Sequence, residues 1–138
     1  MYLLDTNIIS ELRKRGRANP GIIRFFDRLA EQEEISYLSV MTIGELRRGV
    51  DIIQHRGDFA QAKSLENWLQ TILDNYAENI LDFGREEAQI WGRLRVPHPE
   101  NALDKQIAAT ALVYDLTLVT RNVKDFAATG VTLLNPFE

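Results

Sequence analysis

The 138 residues contain no cysteine. That excludes a disulfide framework and any thiolate zinc or iron–sulfur centre, and makes a reducing cytoplasm the expected setting. No apolar run is long enough to span a bilayer. The start, Met1-Tyr2-Leu3-Leu4-Asp5, reaches an acid at once with no basic lead, so no signal peptide and no membrane partner are expected. Basic excess is also missing. Sixteen Lys and Arg face twenty Asp and Glu, a formal charge of −4, which argues against coating nucleic acid through a broad basic surface. It leaves room for a local grip on a short stretch. Two basic clusters are present: Arg13, Lys14, Arg15 and Arg17, and the pair Arg47 and Arg48. Solvated surface and RNA contact both fit them. No Gly-x-Ser-x-Gly nucleophile turn occurs, and no Gly-x-x-x-x-Gly-Lys phosphate loop. With His55 and His98 the only histidines, a Ser-His-Asp hydrolase is disfavoured.

What is present is an alternation of short apolar runs and helical periods, without repeats or a linker, in a chain sized for one domain over residues 1–138. Strands are predicted at Tyr2–Leu4, Ile35–Val40, Ile80–Phe83, Leu116–Thr120 and Val131–Leu134. Between them, helices are predicted at Ile8–Lys14, from the Asn19-Pro20 start to about Glu31, from Ser39 through Glu45 and Leu46, and at Phe59–Tyr76, Glu86–Val96 and Asn101–Tyr114. The second helix would turn Ile22, Ile23, Phe26 and Leu29 inward; the Glu86–Val96 helix would turn Ala88, Trp91 and Leu94. Trp68, Tyr76 and Trp91 read as core or dimer interface rather than as base-stacking platforms. Strands alternating with helices give an α/β sandwich with a mainly parallel sheet.

The acids fall at strand ends. Asp5 follows the first strand, Glu45 lies in the first turns after the second, and Asn122 and Asp125 follow the fourth. Asp104 opens a helix returning to that fourth strand. In a parallel sheet the strand–helix junctions share the carboxyl rim, where ligands bind. Carboxylates gathered there repel one another unless a cation offsets them, and oxygen ligands alone select Mg²⁺ or Mn²⁺. Each acid also has a plainer reading: Asp5 as a helix cap, Glu45 as a solvated partner of Arg48, Asp104 as a first-turn acid, Asp125 as a turn residue.

Four segments, in order, resemble PIN-domain nucleases of the VapC and FitB type. They are Leu3-Leu4-Asp5-Thr6-Asn7-Ile8-Ile9-Ser10, the stretch Leu38 to Gly49 around Glu45, Asp104-Lys105-Gln106-Ile107-Ala108-Ala109-Thr110-Ala111, and Leu118-Val119-Thr120-Arg121-Asn122-Val123-Lys124-Asp125-Phe126. The resemblance implies a three-layer sandwich with a five-stranded parallel sheet, a homodimer, and endonucleolytic cleavage of RNA by the toxin half of a toxin–antitoxin pair. The partner would be a small antitoxin that also binds promoter DNA. By carry-over Asp5 and Asp104 are metal ligands, Glu45 binds metal or positions water, and Thr6 lends support through its hydroxyl. Asn122 stands where such relatives often carry Asp, so Asp125 is the candidate for the missing charge. Arg47, Arg48 and Arg121 would edge the groove and contact phosphate. Two other readings fit the sequence less well. A phosphoacceptor regulatory domain needs paired acids after the first strand, where only Asp5 stands. A catalytically silent binding module is disfavoured by the intact Asp5, Glu45 and Asp104 set.

Overall fold

A computed structural model describes all 138 residues. The elements run β1 (Tyr2–Leu4), α1 (Thr6–Leu12), α2 (Pro20–Glu31), β2 (Ser36–Ser39), α3 (Val40–His55), α4 (Phe59–Asn75), β3 (Ile80–Leu81), α5 (Arg85–Leu94), α6 (Ala102–Val113), β4 (Thr117–Val119), α7 (Val123–Phe126) and β5 (Leu133–Leu134). All four strand pairings are parallel, in the order β3-β2-β1-β4-β5.

The sheet is apolar on both faces because both are covered. Successive residues point to opposite sides. Leu4, Leu38 and Val119 join the core built with α1, α2, α3 and α4. Leu3 and Leu118 join the one built with α6 and α7 through Ile107, Ala108, Ala111 and Phe126. The result is the expected three-layer α/β sandwich.

Several boundaries shift for local reasons. Helix α1 begins at Thr6, not Ile8, because Asp5 has extended backbone and its Oδ1 accepts from the Thr6 N–H at 2.8 Å. Helix α2 starts as predicted: Asn19 Oδ1 accepts from the Gly21 N–H at 2.9 Å, with Pro20 at the first position. Its inward residues differ. Ile22, Phe25 and Leu29, three and then four apart, are buried, and Phe26 is half-buried against the same core, whereas Ile23 is 37% exposed; Phe25 meets Tyr2 edge-on at 5.4 Å. In α5, Ala88 is exposed and Glu87 is buried in its place. The Glu87 carboxylate folds back to accept from the Gly84 N–H at 3.0 Å and caps the helix. Trp91 and Leu94 do lie on the inner side, half-buried.

Strand order decides where the site lies. From β1 the chain first builds outward through β2 and β3, then crosses back to place β4 on the other side of β1. This reversal makes the gap between β1 and β4 a switch point, and the crevice outside its carboxyl ends is where such folds bind ligands. Leu4 is paired with Val119, so Asp5 and Thr120 leave the two strands side by side.

Candidate active site

Asp5 is built into this crevice twice over. Its Oδ1 caps α1; its Oδ2 accepts from the Thr120 hydroxyl at 2.7 Å and from Asn7 Nδ2 at 3.2 Å. Cap and site residue are one side chain, so the two readings of Asp5 are not rivals. Thr120 is fully buried, and its oxygen in turn accepts from the Asn122 N–H at 3.0 Å and from Asn7 Nδ2 at 3.3 Å. Asn7 Oδ1 accepts from the Arg121 N–H at 3.1 Å. The turns after β1 and β4 are thereby stitched together. Beside them, the Thr6 hydroxyl reaches the Thr42 hydroxyl of α3 at 3.3 Å, tying the first motif to the second.

The acids feel one another. Burial pushes the Asp5 carboxyl above its ordinary range; the hydrogen bonds from Thr120, Thr6 and Asn7 oppose this, and the charge of Asp125 adds to it. Asp104 is pushed up to about 6, first by burial, then by the negative charges of Asp5, Asp125 and Glu45. The four acids singled out in the sequence therefore occupy one electrostatic neighbourhood, drawn from the β1–α1 junction, α3, α6 and α7. Like charges held together raise each other's pKa, a pattern common at functional sites.

Asp125 is exposed, and its carboxylate makes no hydrogen bond to cap the turn; only its N–H is engaged, with the Asn122 carbonyl at 3.1 Å. Asn122 is exposed at the start of α7 and makes no side-chain cap. Arg121 stands on the rim with its guanidinium over the Phe137 ring, 4.8 Å from the centroid. Arg47 departs from the expectation of a free phosphate-binding cation. Glu66 of α4 clamps its guanidinium with two bonds of 2.8 and 2.7 Å, and Asp51 lies at 3.5 Å. A bidentate pair of this kind occupies the fork that a phosphate would use. Arg48 makes no such pair.

Sequence reasoning missed Thr120, Asn7 and Thr42. Thr120 ended a predicted strand and looked like any β-branched strand residue. The available signal was its position directly before the Arg121-Asn122 turn, on a strand neighbouring β1, and that neighbourhood is not a local property.

As the side chains stand, no three His, Asp or Glu residues form a closed metal cage. The donor set nonetheless fits a hard divalent cation, since Mg²⁺ is commonly held by one or two carboxylates together with waters and substrate phosphates. Asp5 and Asp104, both with raised pKa values, are groups whose ionised forms such a cation would stabilise.

Residues 2–131 match the PIN domain family. The chain is 35% identical to toxin FitB of Neisseria gonorrhoeae, covering 99% of each. It is 29% identical to the VapC ribonuclease Y4jK of Sinorhizobium fredii, covering 100% of this chain and 99% of that one. Among solved structures it superposes on FitAcB from Neisseria gonorrhoeae with a TM-score of 0.84 at 36% identity, covering 99% and 98%. A toxin–antitoxin complex from Klebsiella pneumoniae gives 0.69 at 26%, covering 100% and 99%.

Proposed function

This chain belongs to the PIN-domain family, and on that premise we propose that it is a Mg²⁺- or Mn²⁺-dependent endoribonuclease, the toxin of a toxin–antitoxin pair. The observation that carries the reading is the gathering of Asp5, Glu45, Asp104 and Asp125 about the β1/β4 switch point, where Asp104 is pushed up to about 6 by burial first and then by the negative charges of the other three. Such a cluster is costly without a cation and useful with one.

Asp5 and Asp104 would hold the cation; when bound it supplies positive charge to the phosphate and favours an ionised attacking water. The chain's own groups do the rest. Thr120 and Asn7 fix the Asp5 carboxylate in one orientation and lower the cost of its charge. Glu45, on the first turns of α3, orients the attacking water and takes its proton. Asp125 adds negative charge from the exposed rim, and Asn122 offers a neutral amide beside it. Arg121 and Arg48 contact the RNA backbone.

A ribonuclease relative supports an RNA substrate, and a toxin–antitoxin neighbour supports an antitoxin partner; on this reading the antitoxin is small, covers the site and binds promoter DNA. Two copies of the chain would pair with their acidic sites facing one groove, and sedimentation showing a monomer at micromolar concentration would remove that pairing. No helix is long and apolar enough to cross a membrane. The deciding experiment is cleavage of RNA by purified, antitoxin-free protein, with activity in Mg²⁺ or Mn²⁺, none in EDTA, and none for Asp5→Asn.

A further inference from the structure

A trough leads away from the carboxylates between three helices. Its walls are Thr6 and Ser10 on α1, with Arg13 just past its end, Glu45 and Gly49 on α3, and Gln61 and Trp68 on α4, enclosing about 270 Å³. Thr6 and Glu45 mark the end nearest the site, and Arg13 lies at the far end of α1. Trp68 is half-buried, and the Arg13 guanidinium stands 5.9 Å from its ring centroid. Arg13 has no carboxylate partner, whereas its neighbour Lys14 is paired with Glu11 at 3.0 Å.

Gly49 sits inside α3, where glycine weakens a helix. Packing does not demand it: a Cβ built there meets nothing within 4 Å. Gly49 lines the trough and places no side chain in it. The hollow is near the lower limit of small-molecule sites (roughly 300 Å³), a size suited to one flat ring system.

We propose that this trough is a nucleobase subsite, taking the base of a nucleotide next to the cleaved phosphodiester. The base stacks on Trp68, the Arg13 guanidinium closes over it or meets its phosphate, and the Gln61 amide, a donor and an acceptor together, reads the base edge. The proposal rests on the ribonuclease reading but makes separate demands. Trp68 packs against the core, as its spacing predicts, and leaves one surface lining the trough.

The test uses the full-length chain and a mixed pool of 5′-labelled hexaribonucleotides in EDTA, so that binding is read without cutting. In a Trp91→Phe protein Trp68 is the only tryptophan, and its fluorescence is expected to be quenched by the RNA. By anisotropy, Arg13→Ala and Trp68→Leu should each weaken binding by about 5–100-fold, with Trp68→Phe close to wild type because it keeps a stacking face. Gly49→Leu should fill the trough and lose at least about fivefold in affinity while melting no lower than wild type. A separate Mn²⁺ reaction reads cleavage. RNA that is cut normally, with Trp68 unquenched and Arg13→Ala and Gly49→Leu binding like wild type, overturns the subsite and leaves the nuclease intact. Quenching with no cleavage of any RNA keeps the nucleotide site and removes the nuclease. Fluorescence that moves only on adding the protein encoded beside this gene assigns the trough to that partner and overturns the proposal.

Discussion

The Thr120 hydroxyl donates to Asp5 Oδ2 across 2.7 Å, between residues 115 apart in the chain. It is a bond between the ends of adjacent parallel strands, and it makes Thr120 the support on which the Asp5 carboxylate rests. Thr120→Val keeps the shape and deletes the donor. Burial then acts on Asp5 with less opposition, and the Asn122 N–H loses its acceptor. We expect about 1–3 kcal/mol of lost stability and Mn²⁺ affinity lower by about 10–100-fold. Thr120→Ser should recover most of the affinity. A valine variant with wild-type affinity would show that the hydroxyl only closes a turn.

Asp104 predicts an unusual stability profile. Its carboxyl is raised from 3.8 to about 6 in the folded chain, so its ionised form is disfavoured by folding. The stability attached to the neutral form is fully present below the unfolded value near 3.8 and is lost as pH rises through about 6. Metal-free Asp104→Asn should therefore be more stable than wild type at pH 8, by on the order of 1–2 kcal/mol after solvent screening. The gain should vanish near pH 4. The same variant should lose most cleavage. Chemical denaturation at the two pH values reads the first effect, and equal stabilities at pH 8 would contradict it. Divalent metal should reverse the order by stabilising the wild type alone.

The fourth acidic position is separable by two measurements on one protein. Asp125 is exposed and caps nothing, so Asp125→Ala should leave the melting temperature unchanged. Because its charge reaches both Asp5 and Asp104, metal affinity and cleavage should fall, by less than for Asp5→Asn or Asp104→Asn. Asn122→Asp should be tolerated and should partly rescue Asp125→Ala. Unchanged Mn²⁺ affinity in Asp125→Ala would take this residue out of the site.

Arg47 serves as a contrast. Its guanidinium is committed to Glu66, so Arg47→Glu should lower the melting temperature slightly, and the swap Arg47→Glu with Glu66→Arg should restore it. RNA affinity should follow Arg48→Glu instead. A loss of RNA binding in Arg47→Glu that persists in the swapped protein would return Arg47 to the groove.

Local pattern was enough for much of this protein. The alternation of apolar runs and helical periods announced a parallel α/β sandwich, because strands covered on both faces must be apolar throughout and helices must bury one stripe. The Asn19-Pro20 start and the helix predicted over Phe59–Tyr76, found at Phe59–Asn75, could be read directly, since caps and helical spacing are set within a few residues. The acids after strands were equally visible. Tertiary structure decided the rest, because it depends on which segments become neighbours. Strand order put β4 beside β1 and so brought Thr120 to Asp5. The return of α6 placed Asp104, which follows no strand, among acids that do. The packing of α3 on α4 gave Arg47 to Glu66, and the meeting of α1, α3 and α4 left a trough beneath Trp68. None of these contacts has a period or a spacing in the chain; each arises from non-local packing and hydrogen bonding that only the assembled layers supply.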